Sequence, residues 1–318
     1  MSIAQLPICC RRYFPRIWPV VLWPAVVCAA FLFWGLCGTA AAAGDAGGEI
    51  RDRISPKQCK IIIDDPQLIA PDFRRILESG HLVVAVLKSD APPFVLEDKT
   101  GKRSGLDVEL LQGFAERFGL TITYSEKADT FEDLVKLVAN NQADLSACGV
   151  SRTLYRTMYV NFTRPYLKLH QGLLINRLEL AKHVNVHSWN EVIKDLNGTL
   201  GVLAGSSYVW FARLHLTGMQ LVLFPSIEDI QQAVLERAIT AAYLDELDIK
   251  MFIRARPDQV LRCQTILFKD VPDHIAFPVA RKNPQLLRLL NLYLEAHPNK
   301  LTIDQILDKY LPAVTGAR

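Results

Sequence analysis

From Pro71 onward the apolar positions fall into a regular rhythm. Residues 71–80 read as a short helix stopped by Gly80, and 81–87 form a continuous apolar run of buried-strand length. After a turn at Pro92-Pro93, Val108, Leu111, Ala115 and Phe118 recur at helical spacing up to Gly119. Residues 120–124 alternate as a strand, Thr130 caps a helix carrying Leu134, Leu137 and Val138, and 144–150 return to a strand. Strand and helix in alternation imply an α/β layer with a mainly parallel sheet.

The pattern restarts after residue 175. It predicts a helix over 189–196, strands at 199–203 and 221–224, a helix over 226–237 and a strand at 239–244 ending on Asp245. A strand at 275–280 and helices at 284–296 and 303–310 close the chain, so two α/β units are expected, with the tail rejoining the first. Residues 44–68 show no usable periodicity and read as an N-terminal extension.

The first 43 residues stand apart. Arg11, Arg12 and Arg16 precede the apolar run 17–36, which Pro19 and Pro24 interrupt and which ends in small residues to Ala43. That layout predicts a secretory signal peptide cleaved near Ala43, hence a periplasmic protein. Its loss removes three arginines and no acid, so 36 basic side chains become 33 against 33 acidic ones. A chain without excess positive charge is a poor partner for nucleic acid. Cys59, Cys148 and Cys263 remain, enough for one disulfide whose pairing the sequence leaves open. No CxxC or Cys/His cluster points to a metal, and no cofactor is expected.

Ligands in open α/β sheets sit beyond the carboxyl ends of strands, where helix N-termini offer free backbone donors. Three strand ends carry candidate chemistry. The first, Gly149-Val-Ser151, permits close backbone approach and supplies a hydroxyl, with Arg156 just beyond to pair a carboxylate. The second is Gly205-Ser206-Ser207, and the third is Asp245, placed to accept an ammonium. Singly, these read equally as a solvated arginine, a helix cap and a turn residue. Together, a cation and an anion on two units match a zwitterion.

Seven stretches, 104–110, 143–156, 160–166, 200–207, 242–245, 275–282 and 308–310, resemble in order and spacing the family 3 extracellular solute-binding proteins, the polar-amino-acid receptors of ABC importers. The resemblance spans roughly residues 69–312. It implies a two-lobed type II periplasmic-binding-protein fold: lobe 1 over 69–172, lobe 2 over 173–278, and a return to lobe 1 over 279–318. Hinge strands would lie near 173–176 and 275–279. It implies that Gly149, Ser151 and Arg156 meet the ligand carboxylate, with Ser206 and Ser207 completing the anion site. Asp245 would hold the α-ammonium, Phe131 would form an apolar wall and Lys88 would read the ligand's side chain. Ala91 stands where many relatives place an aromatic residue, and together with Lys88 this suggests an acidic or non-standard ligand side chain. Arg237-Ala238 replaces the glycine usual before the lobe 2 strand.

The implied protein is a monomeric binding protein that delivers an amino acid or analogue to a membrane permease. Two other readings compete. One is an enzyme of the same fold, of the cyclohexadienyl or arogenate dehydratase kind, with Glu97, Asp90 or His274 as acid or base. The other is a sensory or accessory module that docks through Arg152, Tyr155, Tyr159 and Arg164.

Overall fold

The computed structural model describes residues 61, 63–182 and 198–311. The expected signal peptide, Cys59 and the helix expected over 189–196 lie outside the described residues.

Most of the predicted elements form where the periodicity puts them. Helix α1 (Pro71–Ser79) stops at Gly80, which adopts a left-handed conformation and donates its N–H to Leu77 O. Strand β1 (His81–Leu87) follows, and the short strands β2 (Leu96–Glu97) and β3 (Arg103–Ser104) pair as a hairpin. Helix α2 (Leu106–Phe118) leads to β4 (Thr121–Ala128) and α3 (Phe131–Ala139). Thr130 caps α3 through a reciprocal pair of hydrogen bonds with Asp133, which fixes where that helix starts. The strand expected over 144–150 shrinks to β5 (Leu145–Ser146), because Cys148 and Gly149 both take positive φ and turn the chain away.

Helix α4 (Leu154–Thr157), β6 (Asn161–Phe162) and the ten-residue β7 (Leu167–Asn176) come next. The second unit then runs through α5 (Arg177–Ala181), β8 (Gly198–Leu203), α6 (Tyr208–His215), β9 (Met219–Phe224), α7 (Ile227–Leu235), β10 (Ala241–Asp245) and α8 (Glu246–Ala255). The chain ends with β11 (Cys263–Ile275), β12 (Pro278–Val279), α9 (Pro284–Ala296) and α10 (Ile303–Tyr310).

Two five-stranded sheets result, ordered β4-β1-β5-β12-β6 and β11-β7-β10-β8-β9. Each is mixed. Within the strand–helix repeats β1 runs parallel to β4 and β5, and β8 to β9 and β10. Antiparallel pairing enters where the returning strand β12 joins the first sheet and where β7 and β11 join the second. The sheets are thus less parallel than the strand–helix rhythm alone implied, because the connecting strands do not come from that repeat.

One apolar core gathers Leu82, Val84, Leu145, Val279, Leu286 and Ile306; the other gathers Leu200, Val202, Ala242, Tyr243 and Phe252. Strands β7 and β11 pass between them, since Leu167 and Leu169 pack in the first core and Leu173 in the second, while Ile266 packs in the second and Ile275 in the first. The changeover therefore precedes residues 173–176 and 275–279 on both strands. An apolar run marks strand inside a core, not the point of crossing. Cys148 and Cys263 are buried free thiols, one in each core, so they do not pair with each other.

Candidate functional site

The loop after β5, the loop after β8 and the two crossing strands converge on one buried polar cluster. Ser151 closes an isolated β-bridge with Ile275, which brings its hydroxyl onto the face of β11 that carries Asp273. Ser151 Oγ donates to Asp273 Oδ2 at 2.7 Å and lies 2.9 Å from Ser207 Oγ. With the Ser151 proton directed at the carboxyl group, Ser207 is the donor in the second bond. This links the two α/β units directly. Gln171 on β7 donates from Nε2 to the same Asp273 oxygen at 2.8 Å.

Arg156 sits on α4 behind Ser151. Its side chain is 2% exposed, although most arginines face water. Its Nη1 donates to Ser151 O at 3.2 Å, and its Nη2 meets Glu132 Oε1 at 3.0 Å. Glu132 lies in the first turn of α3, next to Phe131, and its N–H donates to Gly205 O at 3.2 Å in a second link between the units. Gly205 needs its missing side chain there: its φ is +66°, and a Cβ would stand 2.7 Å from the Thr130 Cβ.

Asp245 ends β10 and caps α8, accepting the Asp248 N–H at 2.9 Å. Burial raises its carboxyl above the ordinary aspartate range, partly offset by that backbone bond and by the Tyr208 hydroxyl. Tyr208 also donates to Asp248 Oδ2 at 2.7 Å. Burial pushes Asp273 up to about 7, against which Ser151, Arg156 and Gln171 act, while the charge of Asp245 raises it further. Asp273 therefore lies within electrostatic reach of both Arg156 and Asp245, the cation and anion expected from opposite units.

The other expected residues divide. Ser207 and Ser151 join the cluster directly. Ser206 is buried, but its hydroxyl donates to Leu203 O at 2.7 Å and accepts the Tyr208 N–H, so it braces its own turn. The Gly149 N–H goes to Asp107 Oδ2 at 2.9 Å, and the ring of Phe94 fills the space a Cβ would take. Gly149 shapes the loop but directs no free donor outward. Phe131 is half-buried against the first core. Lys88 stands outside the cluster, its Nζ held by both oxygens of Asp129 at 2.7 and 2.8 Å on an exposed surface. The acidic-ligand expectation, drawn from Lys88 and Ala91 together, gains no support from that ion pair.

Among the enzyme candidates, Glu97 pairs with Arg103 at 2.7 Å, and Asp90 accepts the Glu97 N–H at 3.0 Å. His274 neighbours Asp273 on β11, and adjacent strand residues face opposite ways. Asp273, Gln171 and Glu132 escaped the sequence reading. The one usable signal was the period-2 alternation around His274, which makes Asp273 the inward residue if His274 is outward.

Among the described residues, no cluster of His, Cys, Asp and Glu forms a metal site and no helix is long and apolar enough to cross a membrane. Two open surface depressions, of about 290 and 430 Å³, lie beside Arg256 and between Glu246 and Asp304, and no residue of this cluster lines either.

Two α/β units joined by paired crossing strands around a shared buried polar cluster define a two-lobed protein of type II periplasmic-binding architecture. Residues 82–313 match the sequence profile of the bacterial extracellular solute-binding proteins, family 3, and the chain belongs to that family. A cyclohexadienyl dehydratase of Pseudomonas aeruginosa is 25% identical over 210 residues, covering 65% of this chain and 76% of the relative. A probable amino-acid ABC transporter-binding protein of Haemophilus influenzae is 22% identical over 214 residues, covering 67% and 78%. In fold, an amino acid ABC transporter substrate-binding protein of Streptococcus pneumoniae bound to L-arginine superposes with a TM-score of 0.62 at 22% identity, covering 76% of this chain and 99% of that one.

Proposed function

We propose that this protein captures an amino acid by closure of its two lobes and hands it to the permease of an ABC importer in the periplasm. The observation that carries this reading is the convergence of Arg156, from one lobe, and Asp245, from the other, on the surroundings of Asp273. Arg156 pairs the ligand's carboxylate and Asp245 its ammonium. The hydroxyl pair Ser151–Ser207 and the Glu132–Gly205 backbone bond act as closing contacts, and β7 and β11 are the strands about which the lobes move. Ligand contacts from both lobes favour the closed state, because only that state makes them together. The family and the transporter-binding relative support this reading.

Calorimetry with the twenty amino acids tests it. At least one is expected to bind tightly, with a reduced radius of gyration in small-angle scattering; absence of binding by all twenty would overturn the proposal.

One observation favours a second reading as an enzyme. Asp273, held near 7 in a buried site, is poised to donate a proton near neutral pH, and a dehydratase is among the relatives. Turnover of prephenate or arogenate, followed by product absorbance, would shift the assignment to catalysis.

A further inference from the structure

The polar cluster holds more hydrogen-bond acceptors than it uses. Asp273 Oδ1, Gln171 Oε1 and the Tyr243 hydroxyl are all buried without a hydrogen-bond partner. The amide of Gln171 is oriented by its Nε2 bond to Asp273 Oδ2, so the free atom is the carbonyl oxygen, an acceptor only. Asp273 Oδ1 is also an acceptor whenever the carboxyl group is ionised. Tyr243 lies close enough to Asp273 to feel its charge. Asp273 is 1% exposed and Gln171 is fully buried, and a buried acceptor left unpaired is costly.

Charge points the same way. Arg156 is paired with Glu132, so the one buried cation of the cluster is already balanced within its own lobe. Asp245 and Asp273 add two buried carboxyl groups from the other lobe and the crossing strand. A zwitterion carries no net charge, so it leaves the excess of these groups uncompensated whenever they are ionised. A ligand with one further positive group compensates part of it and supplies the N–H donors that the free acceptors lack.

We propose that Asp273, with Gln171 and Tyr243, forms a subsite for a second cationic group, so that the ligand is an amino acid with a positively charged side chain, an amine or a guanidinium. This rests on the amino-acid reading above. It gives a crossing-strand residue the role of specificity determinant. Asp273 already bonds Ser151, which bonds Ser207 of the other lobe, so filling the subsite also orders the closing contact.

Calorimetry on the full chain with L-arginine, L-lysine, L-glutamine and L-glutamate, repeated on Asp273→Asn, tests it. The wild type is expected to bind arginine or lysine at least tenfold more tightly than glutamine. Asp273→Asn is expected to narrow that gap at least tenfold, almost all of it through weaker binding of the cationic ligand. Preference for glutamine or glutamate in the wild type, or equal loss for arginine and glutamine in the variant, would overturn the subsite while leaving the amino-acid reading intact. Failure of all four ligands, with another of the twenty amino acids binding, would also overturn the subsite alone; failure of all twenty overturns both. Should Asp273→Asn not fold, wild-type titrations near pH 6.5 in two buffers of different ionisation enthalpy give an independent measure. Arginine is expected to release more protons than glutamine, because a cation ionises Asp273, and equal release would overturn the subsite.

Discussion

Truncating Arg156 to alanine probes the charge pairing on which the binding proposal rests. The guanidinium is 2% exposed and bonds Ser151 O and Glu132, whose side chain is 32% exposed. On truncation Glu132 can turn toward water, so folding should lose only about 2 kcal/mol, less than the roughly 3–5 kcal/mol of a pair whose remaining charge stays buried. For a chain of this size that lowers the melting temperature by about 4–8 °C. A carboxylate bound there, as proposed, would have no such exit, because lobe closure would cover it. Losing its partner there costs about 2–5 kcal/mol, which weakens binding about 30-fold to 4,000-fold. Calorimetry with the tightest-binding amino acid, run beside thermal denaturation, separates the two effects. Arg156→Lys should restore part of the affinity, since it keeps the charge but loses the two-pronged donor geometry. Affinity within threefold of wild type in Arg156→Ala, with the expected loss of stability, would show that Arg156 is structural and that the ligand's carboxylate binds elsewhere.

Three further outcomes follow from the structure. Ser207→Ala removes the hydroxyl bond between the lobes, worth about 1 kcal/mol, and should shift the open–closed balance roughly fivefold toward open, measured as a larger radius of gyration by small-angle scattering. Gly149→Ala places a Cβ 2.4 Å from the Phe94 ring at a φ of +66°, and should destabilise the protein by about 2–5 kcal/mol in urea unfolding. Asp107 and Asp273 are both held near 7 by burial, well above their unfolded value of 3.8. Between about pH 4 and pH 7 the folded state keeps protons that the unfolded state has lost, so stability falls as pH rises through that window and levels off above it. Unliganded protein should therefore be more stable to urea at pH 5 than at pH 8; the opposite order would refute the burial argument.

The sequence alone determined what local spacing encodes. The alternation of strands and helices, the glycine stops at Gly80 and Gly119, the Thr130 cap and the strand ends at Leu203 and Asp245 are all short-range features, each readable within a few residues. Asp245 could be picked out because it ends a strand, and Arg156 because it follows the Gly149-Val-Ser151 turn. Tertiary structure decided the rest. Asp273 meets Ser151 across 122 residues and Gln171 across 102, on a strand whose pairing shifts register between Phe268 and Pro272. A register shift changes which residues face inward, and local periodicity cannot count across it. Lys88 illustrates the converse. Its position suggested a ligand contact, and the partner the structure gives it is Asp129, 41 residues away, on an exposed surface. Ion pairs of this kind depend on where chain segments meet in space, which no local pattern specifies.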